Sequence, residues 1–182
     1  NLFIHTIKLH MRYENITFKQ YNPYKSSAKS DKSWDRSHWS KQENQENGFH
    51  QIASILTDYP DVHSVLDVGC GDGRIVDFLD ADQITDYTGI DITPEIVTFA
   101  NKPNILHADI KSFEPNRKYD AAFAIGSFNM YVPFRDVLAA LEAMHNLSNI
   151  ITICNISYLE TRNCNYMDTR RDERVILRNL GY

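Results

Sequence analysis

The run Val65-Leu66-Asp67-Val68-Gly69-Cys70-Gly71-Asp72-Gly73 constrains this chain more than any other segment. A short apolar stretch ends in three glycines at alternate positions, and Ile75, Val76 and Leu79 then continue as the apolar side of a helix. A strand that turns through glycines into a helix opens a βαβ unit, and such units build a parallel sheet. Without a Cβ, the turn lets its backbone approach a ligand closely. The spacing is G-x-G-x-G, whereas the dinucleotide fingerprint is G-x-G-x-x-G. Asp67 stands two residues before the first glycine. A carboxylate there repels a pyrophosphate and suits a ligand with a positive centre or an ammonium group.

The alternation continues along the chain. Phe49, Ile52, Ile55 and Leu56 recur at helical spacing, which predicts a helix over residues 42–58 that ends at Tyr59-Pro60. Strands are expected at Ser64–Val68, Tyr87–Asp91, Ile105–Ala108, Tyr119–Ile125 and Ile150–Ile156. Between them fall helices at Arg74–Leu79, from Thr93-Pro94 to about Asn101, and at Pro133–His145. This order predicts an α/β fold, a doubly wound and mainly parallel sheet with helices on both faces. The first 33 residues have turn formers and no period, and SWDRSHWS holds both tryptophans, Trp34 and Trp39. Residues 1–41 are therefore expected to be an arm, partly disordered, in which Trp34, Arg36 and Trp39 form a lid over the ligand or the two aromatics dock the arm on the domain. Residues 42–182 form the ligand-binding domain.

Composition excludes several classes. A length of 182 residues fits one domain. No stretch reaches the roughly 18 apolar residues that span a bilayer, and the first residues do not read as a secretory signal. Three cysteines without a CxxC, and seven histidines without metal spacing, argue against a disulfide framework and against a metal site. They point to a reducing, cytoplasmic compartment. The net charge is -5, and residues 49–160 hold six Lys and Arg against sixteen Asp and Glu. Long nucleic acid is a poor partner for such a body, because its affinity rests on phosphate neutralisation.

Two more acids close expected strands. Asp91 lies twenty residues after Gly71, where a carboxylate accepts bonds from both hydroxyls of a ribose. Asp109 ends the third strand and can accept a bond from an exocyclic adenine amine. Ile92 and Ile110 follow these acids and can sandwich a flat base. Cys70, inside the glycine turn, reads as packing and not as a nucleophile.

VLDVGCGDG, YTGID and HADI, followed by YDAAFAIGSFN, resemble the successive motifs of class I S-adenosylmethionine-dependent methyltransferases. The resemblance runs from about Phe49 to Ile156. It extends upstream to Trp39-Ser40, Gln45 and Phe49, which are similar to a helix preceding the first strand in an uncharacterised bacterial group. It implies a Rossmann-like sheet of order 3-2-1-4-5 and S-adenosylmethionine as cofactor, leaving S-adenosylhomocysteine. It implies that Asp67 and the turn at Gly69 and Gly71 hold the methionine part, Asp91 the ribose and Asp109 the adenine. Cys70, Ile92, Ile110, Trp39 and Gln45 join these as cofactor-site candidates.

Transfer from a sulfonium needs the acceptor in line and, in some cases, a proton removed. The acceptor is expected beside Gly126-Ser127-Phe128-Asn129, where Gly126 lets the cofactor near the backbone, Asn129 orients the acceptor and Tyr131 closes the site or serves as a weak base. Ser127-Phe128 replaces the two prolines of amino-methylating relatives, which disfavours an adenine or glutamine-amide acceptor. A small molecule is the expected acceptor. The alternatives are an inactive cofactor-binding partner subunit, or another enzyme of this fold, an aminopropyl transferase or a nicotinamide-dependent oxidoreductase. After Ile156 the remaining 26 residues fall short of a helix plus two strands, so the C-terminal hairpin is expected to be incomplete. Arg170–Leu180 reads as a helix or a single strand. Strand five would then lie near an uncovered edge, open to pairing in a homodimer.

Overall fold

The computed structural model describes residues 24–128, 132, 134–159 and 170–178. β1 (Ser64–Val68) is buried from its second residue onward and forms the axis of the sheet. It pairs in parallel with β2 (Asp86–Asp91) on one side and with β4 (Tyr119–Phe128) on the other. β3 (Ile105–His107) pairs with β2, and β5 (Ser148–Leu159) with β4, both in parallel. These five strands run in the order 3-2-1-4-5, as the sequence leads us to expect. A sixth strand, β6 (Arg170–Arg178), lies antiparallel to β5, so the order ends 4-5-6. That corrects the expectation for strand five: it is an interior strand, and among the described residues β6 carries the edge.

Because side chains alternate across a strand, each central strand feeds two cores. Leu66 and Val68 of β1, Ala122, Ala124 and Phe128 of β4 and Cys154 of β5 point to one face. There α5 (Phe134–Leu147) covers them with Val137, Ala140, Leu141 and Met144, residues three or four apart on one side of the helix. Val65, Ala121, Phe123, Ile151 and Ile153 point to the other face, under Phe49, Ile52 and Leu56 of α3 (Gln42–Thr57). Burial on both faces accounts for the nearly continuous apolar runs of β4 and β5.

The helices after β1 and β2 are shorter than the periodicity predicts. Arg74–Phe78 is a 3₁₀ turn. α4 (Pro94–Val97) has the expected Pro at its start but stops four residues before Asn101. The N–H groups of Phe99 and Ala100 bond back only three residues, to Ile96 and Val97, so the chain tightens toward Pro103 instead of continuing the helix. The described part of the arm is not irregular. It forms two helical turns, α1 (Tyr24–Ser27) and α2 (Ser33–Arg36). Among the described residues no helix is long and apolar enough to cross a membrane.

Candidate active site

All three strand-end acids line one pocket at the carboxyl edge of the sheet, next to the switch between β1 and β4. Ligands of doubly wound sheets bind at this place. Gly69, Cys70, Gly71, Ile92, Ile110, Gly126, Trp39 and Gln45 line the same pocket. Asn129 and Tyr131, the candidates for acceptor chemistry, lie outside the described residues.

Asp67, on β1, is buried. Its Oδ2 accepts a 2.7 Å hydrogen bond from the Tyr87 hydroxyl, and no group among the described residues reaches Oδ1. Burial pushes the carboxyl up to about 7, against the Tyr87 hydrogen bond, with the charge of Asp91 adding to the rise. Asp91, at the end of β2, is buried too, but its oxygens are occupied. Oδ2 accepts from the Gly71 N–H at 3.0 Å and Oδ1 from the Thr93 N–H at 2.8 Å. Burial raises its pKa while those two backbone donors act to lower it. Each carboxylate oxygen keeps a further lone pair for a hydroxyl donor. Asp109 caps the 3₁₀ turn Ile110–Ser112 by accepting from the Lys111 N–H at 3.0 Å. Lys111 reaches across to Asp136 of α5 at 3.0 Å. Ile110 is buried, whereas Ile92 is 38% exposed, so a base between them would have one packed side and one open side.

The glycines have specific neighbours. Gly69 has φ +76°, and a Cβ there would sit 2.1 Å from the Ser127 hydroxyl, which itself donates to the Val68 carbonyl at 3.0 Å. Ser127 thus ties β4 to the glycine turn. Gly126 has φ +71°, and its N–H donates to Asn155 Oδ1 on β5 at 2.7 Å. A Cβ at Gly126 would fall 2.6 Å from the Trp39 indole. The space left by this glycine is therefore used by the arm. Cys70 Sγ faces Gly89, where a Cβ would come within 2.8 Å of it, and burial pushes its thiol up, away from thiolate chemistry.

The arm forms one wall of the pocket with Tyr24, Ser37 and Trp39, and side chains fasten it there. Arg36 is buried; its Nη2 binds Asp72 Oδ2 at 2.5 Å, its Nη1 donates to the Ser30 carbonyl at 2.6 Å, and its guanidinium lies 4.5 Å from the centre of the Phe99 ring. Ser33 donates to the other oxygen of Asp72 at 3.0 Å. Gln45 is buried behind this cluster, near Ser33 on one side and accepting from Arg74 on the other. Sequence reasoning placed Gln45 and Trp39 at the site but missed Asp72 as the fastening and Tyr87 as the partner of Asp67. The position of Asp72 between two glycines of the turn was the available signal for the first. Tyr87 carried none, since it reads as an ordinary strand residue.

A methyltransferase-domain family matches residues 65–149. A protein of Mycobacterium tuberculosis whose assignment as a methyltransferase is itself provisional, Rv1506c, is 38% identical over 98 residues, 49% of this chain and 57% of that protein. The chain thus spans little more than half the length of that relative. Among solved structures, the N-methyltransferase NodS of Bradyrhizobium japonicum in complex with S-adenosylhomocysteine aligns with a TM-score of 0.60 and 18% identity, over 75% of this chain and 72% of that one. Magnesium protoporphyrin IX methyltransferase of Synechocystis with bound S-adenosylmethionine aligns with a TM-score of 0.57 and 17% identity, over 82% and 79%. At these identities the two structures speak for the fold.

Proposed function

We propose that this chain is a class I S-adenosylmethionine-dependent methyltransferase, which binds S-adenosylmethionine and moves its methyl group to a small-molecule acceptor; the methyltransferase-domain match over residues 65–149 supports this reading. The observation that carries this reading is the convergence of Asp67 on β1, Asp91 at the end of β2 and Asp109, two residues beyond β3, on one pocket with the glycine turn. The residues fit the cofactor. Asp67 offers the ammonium group a buried oxygen that has no partner among the described residues, and the turn at Gly69 and Gly71 exposes backbone beside it. Asp91 retains acceptor capacity for ribose hydroxyls, and Asp109 with Ile92 and Ile110 suits adenine. When bound, the sulfonium supplies a methyl carbon whose bond to sulfur breaks as an acceptor lone pair attacks it.

The chain's own part is binding, orientation and exclusion of water. Trp39, Phe49, Ile125, Phe128 and Val132 give the pocket an apolar wall that favours a small organic acceptor. The named substrates of relatives of this fold, such as a porphyrin, agree with that size class. In this reading Asn129 orients the acceptor and Tyr131 closes the site, the protein works in the cytoplasm, and a second copy pairs along an exposed sheet edge. Asp67 also separates this reading from a nicotinamide-dependent enzyme, because a buried carboxyl whose Oδ1 has no donor among the described residues disfavours a pyrophosphate.

Calorimetric titration with S-adenosylhomocysteine and with NAD tests the binding half. Saturable binding of the first and none of the second is expected; tight NAD binding with no response to S-adenosylhomocysteine would overturn the reading. Methyl transfer from labelled S-adenosylmethionine to a panel of small amines, alcohols and acids tests the other half. Binding without turnover on any acceptor would favour a non-catalytic partner subunit.

A further inference from the structure

We propose that Tyr87 is a positioning residue: by donating its hydroxyl proton to Oδ2 of Asp67, it holds the carboxylate with Oδ1 presented to the ammonium group of the ligand. The inference rests on the cofactor reading above and deepens it. Tyr87 sits on β2 opposite Val65, and Gly89, two residues on, is opposite Asp67. Both side chains therefore stand on the same face of adjacent strands, and the glycine puts no side chain of its own between them. The bond is 2.7 Å long and shielded from water by Asp67's burial. A carboxylate held at one oxygen has lost most of its rotational freedom. Its second oxygen then has a fixed direction, and in this pocket that oxygen has no partner among the described residues.

The same bond governs when Asp67 is charged. Burial favours the neutral acid, and the Tyr87 donor works against burial by stabilising the anion. The surroundings offer little other help. β2 adds the like charge of Asp91, and the glycine turn adds Cys70 with Asp72 farther off. From β4 come Phe123, opposite Asp67, and Ile125; from α3 come Gln45 and Phe49, all uncharged. The arm brings Tyr24 to the pocket, and Asp109, Lys111 and Asp136 line its adenine side. The arginines of this region are already bound, Arg36 to Asp72 and Arg74 to Glu46. Tyr87 is thus the donor on which an ionised Asp67 depends until a cationic ligand arrives. An ammonium group that needs the anion must displace the proton below about pH 7, so affinity falls toward tenfold per pH unit there.

Two ligands separate positioning from mere support. S-adenosylhomocysteine carries the ammonium group; 5′-methylthioadenosine shares adenine and ribose but lacks it. Dissociation constants for both are measured by calorimetry with wild type and Tyr87→Phe, between pH 6 and pH 9. Tyr87→Phe should weaken S-adenosylhomocysteine by about tenfold at pH 7, the worth of one charged hydrogen bond. The loss should shrink as pH rises, and methylthioadenosine should change by less than about twofold. An equal loss for both ligands, a loss independent of pH, or no loss would overturn the proposal. If Tyr87→Phe does not fold, Tyr87→Leu carries the same expectations. Wild type adds its own test: S-adenosylhomocysteine, and not methylthioadenosine, should bind more weakly at pH 6 than at pH 8, and parallel profiles would overturn the proposal. If wild type binds neither compound, the cofactor reading falls with it; if it binds both and Tyr87→Phe affects both alike, only the role of Tyr87 falls.

Discussion

Asp91 accepts two backbone N–H groups and faces the pocket, whereas Asp72 accepts Ser33 and Arg36 and faces the arm. Their alanine variants should differ in kind. Asp91→Ala should weaken S-adenosylhomocysteine at least tenfold, since charged hydrogen bonds contribute about 1.5–3 kcal/mol each. Asp72→Ala leaves the buried Arg36 guanidinium without its counter-charge, which costs about 3–5 kcal/mol. In a chain of this length that lowers the melting temperature by about 10 °C. Calorimetric titration beside a thermal melt of each variant checks the pair. Equal affinity losses with unchanged melting at both positions would refute the division. The acids at strand ends were legible because a strand's terminus can be read from its apolar run. The Arg36–Asp72 pair was not, because nothing local links residues 36 positions apart.

At the scale of elements, the apolar runs located the first five strands, and the corrections cluster where neighbours override local pattern. β4 and β5 extend beyond their expected ends, as each borrows order from the strand beside it. Arg170–Arg178 mixes charged residues with Val175-Ile176-Leu177 and has no decisive period; pairing with β5 makes it a strand. The arm was expected to be irregular, and α1 and α2 are too short to be stable alone. Their order comes from the fastening at Asp72 and from Trp39 against Gly126. That gives the arm a prediction of its own. Since Trp34 and Trp39 are the only tryptophans of the chain, its fluorescence reports this segment. Saturating S-adenosylhomocysteine should change the intensity or wavelength of emission, as ligand fills the space beside Trp39. Unchanged emission, with binding established by calorimetry, would mean that the wall is static.

For the molecule as a whole, the pocket carries a cost in stability. Asp67 has a folded-state pKa raised to about 7 from an ordinary 3.8. Between those values the native state keeps a proton that the unfolded chain has released, so stability falls as pH rises from about 4 to about 7. Asp91 shifts in the same direction. Asp67→Asn, which mimics the neutral acid, should melt close to wild type at pH 4.5 and well above it at pH 8, in the absence of ligand, with a difference on the order of a few kcal/mol. A constant gap across pH would show that Asp67 is not the origin. The placement of the arm has a different kind of consequence. Tyr24, Ser37 and Trp39 belong to the pocket, yet they precede residue 65, where the match to the family begins. The strand-end acids lie inside that match. One wall is thus set by acids inside that match and the other by a short segment ahead of it. A designed change of what the pocket admits can therefore be confined to the arm, with the three acids left alone.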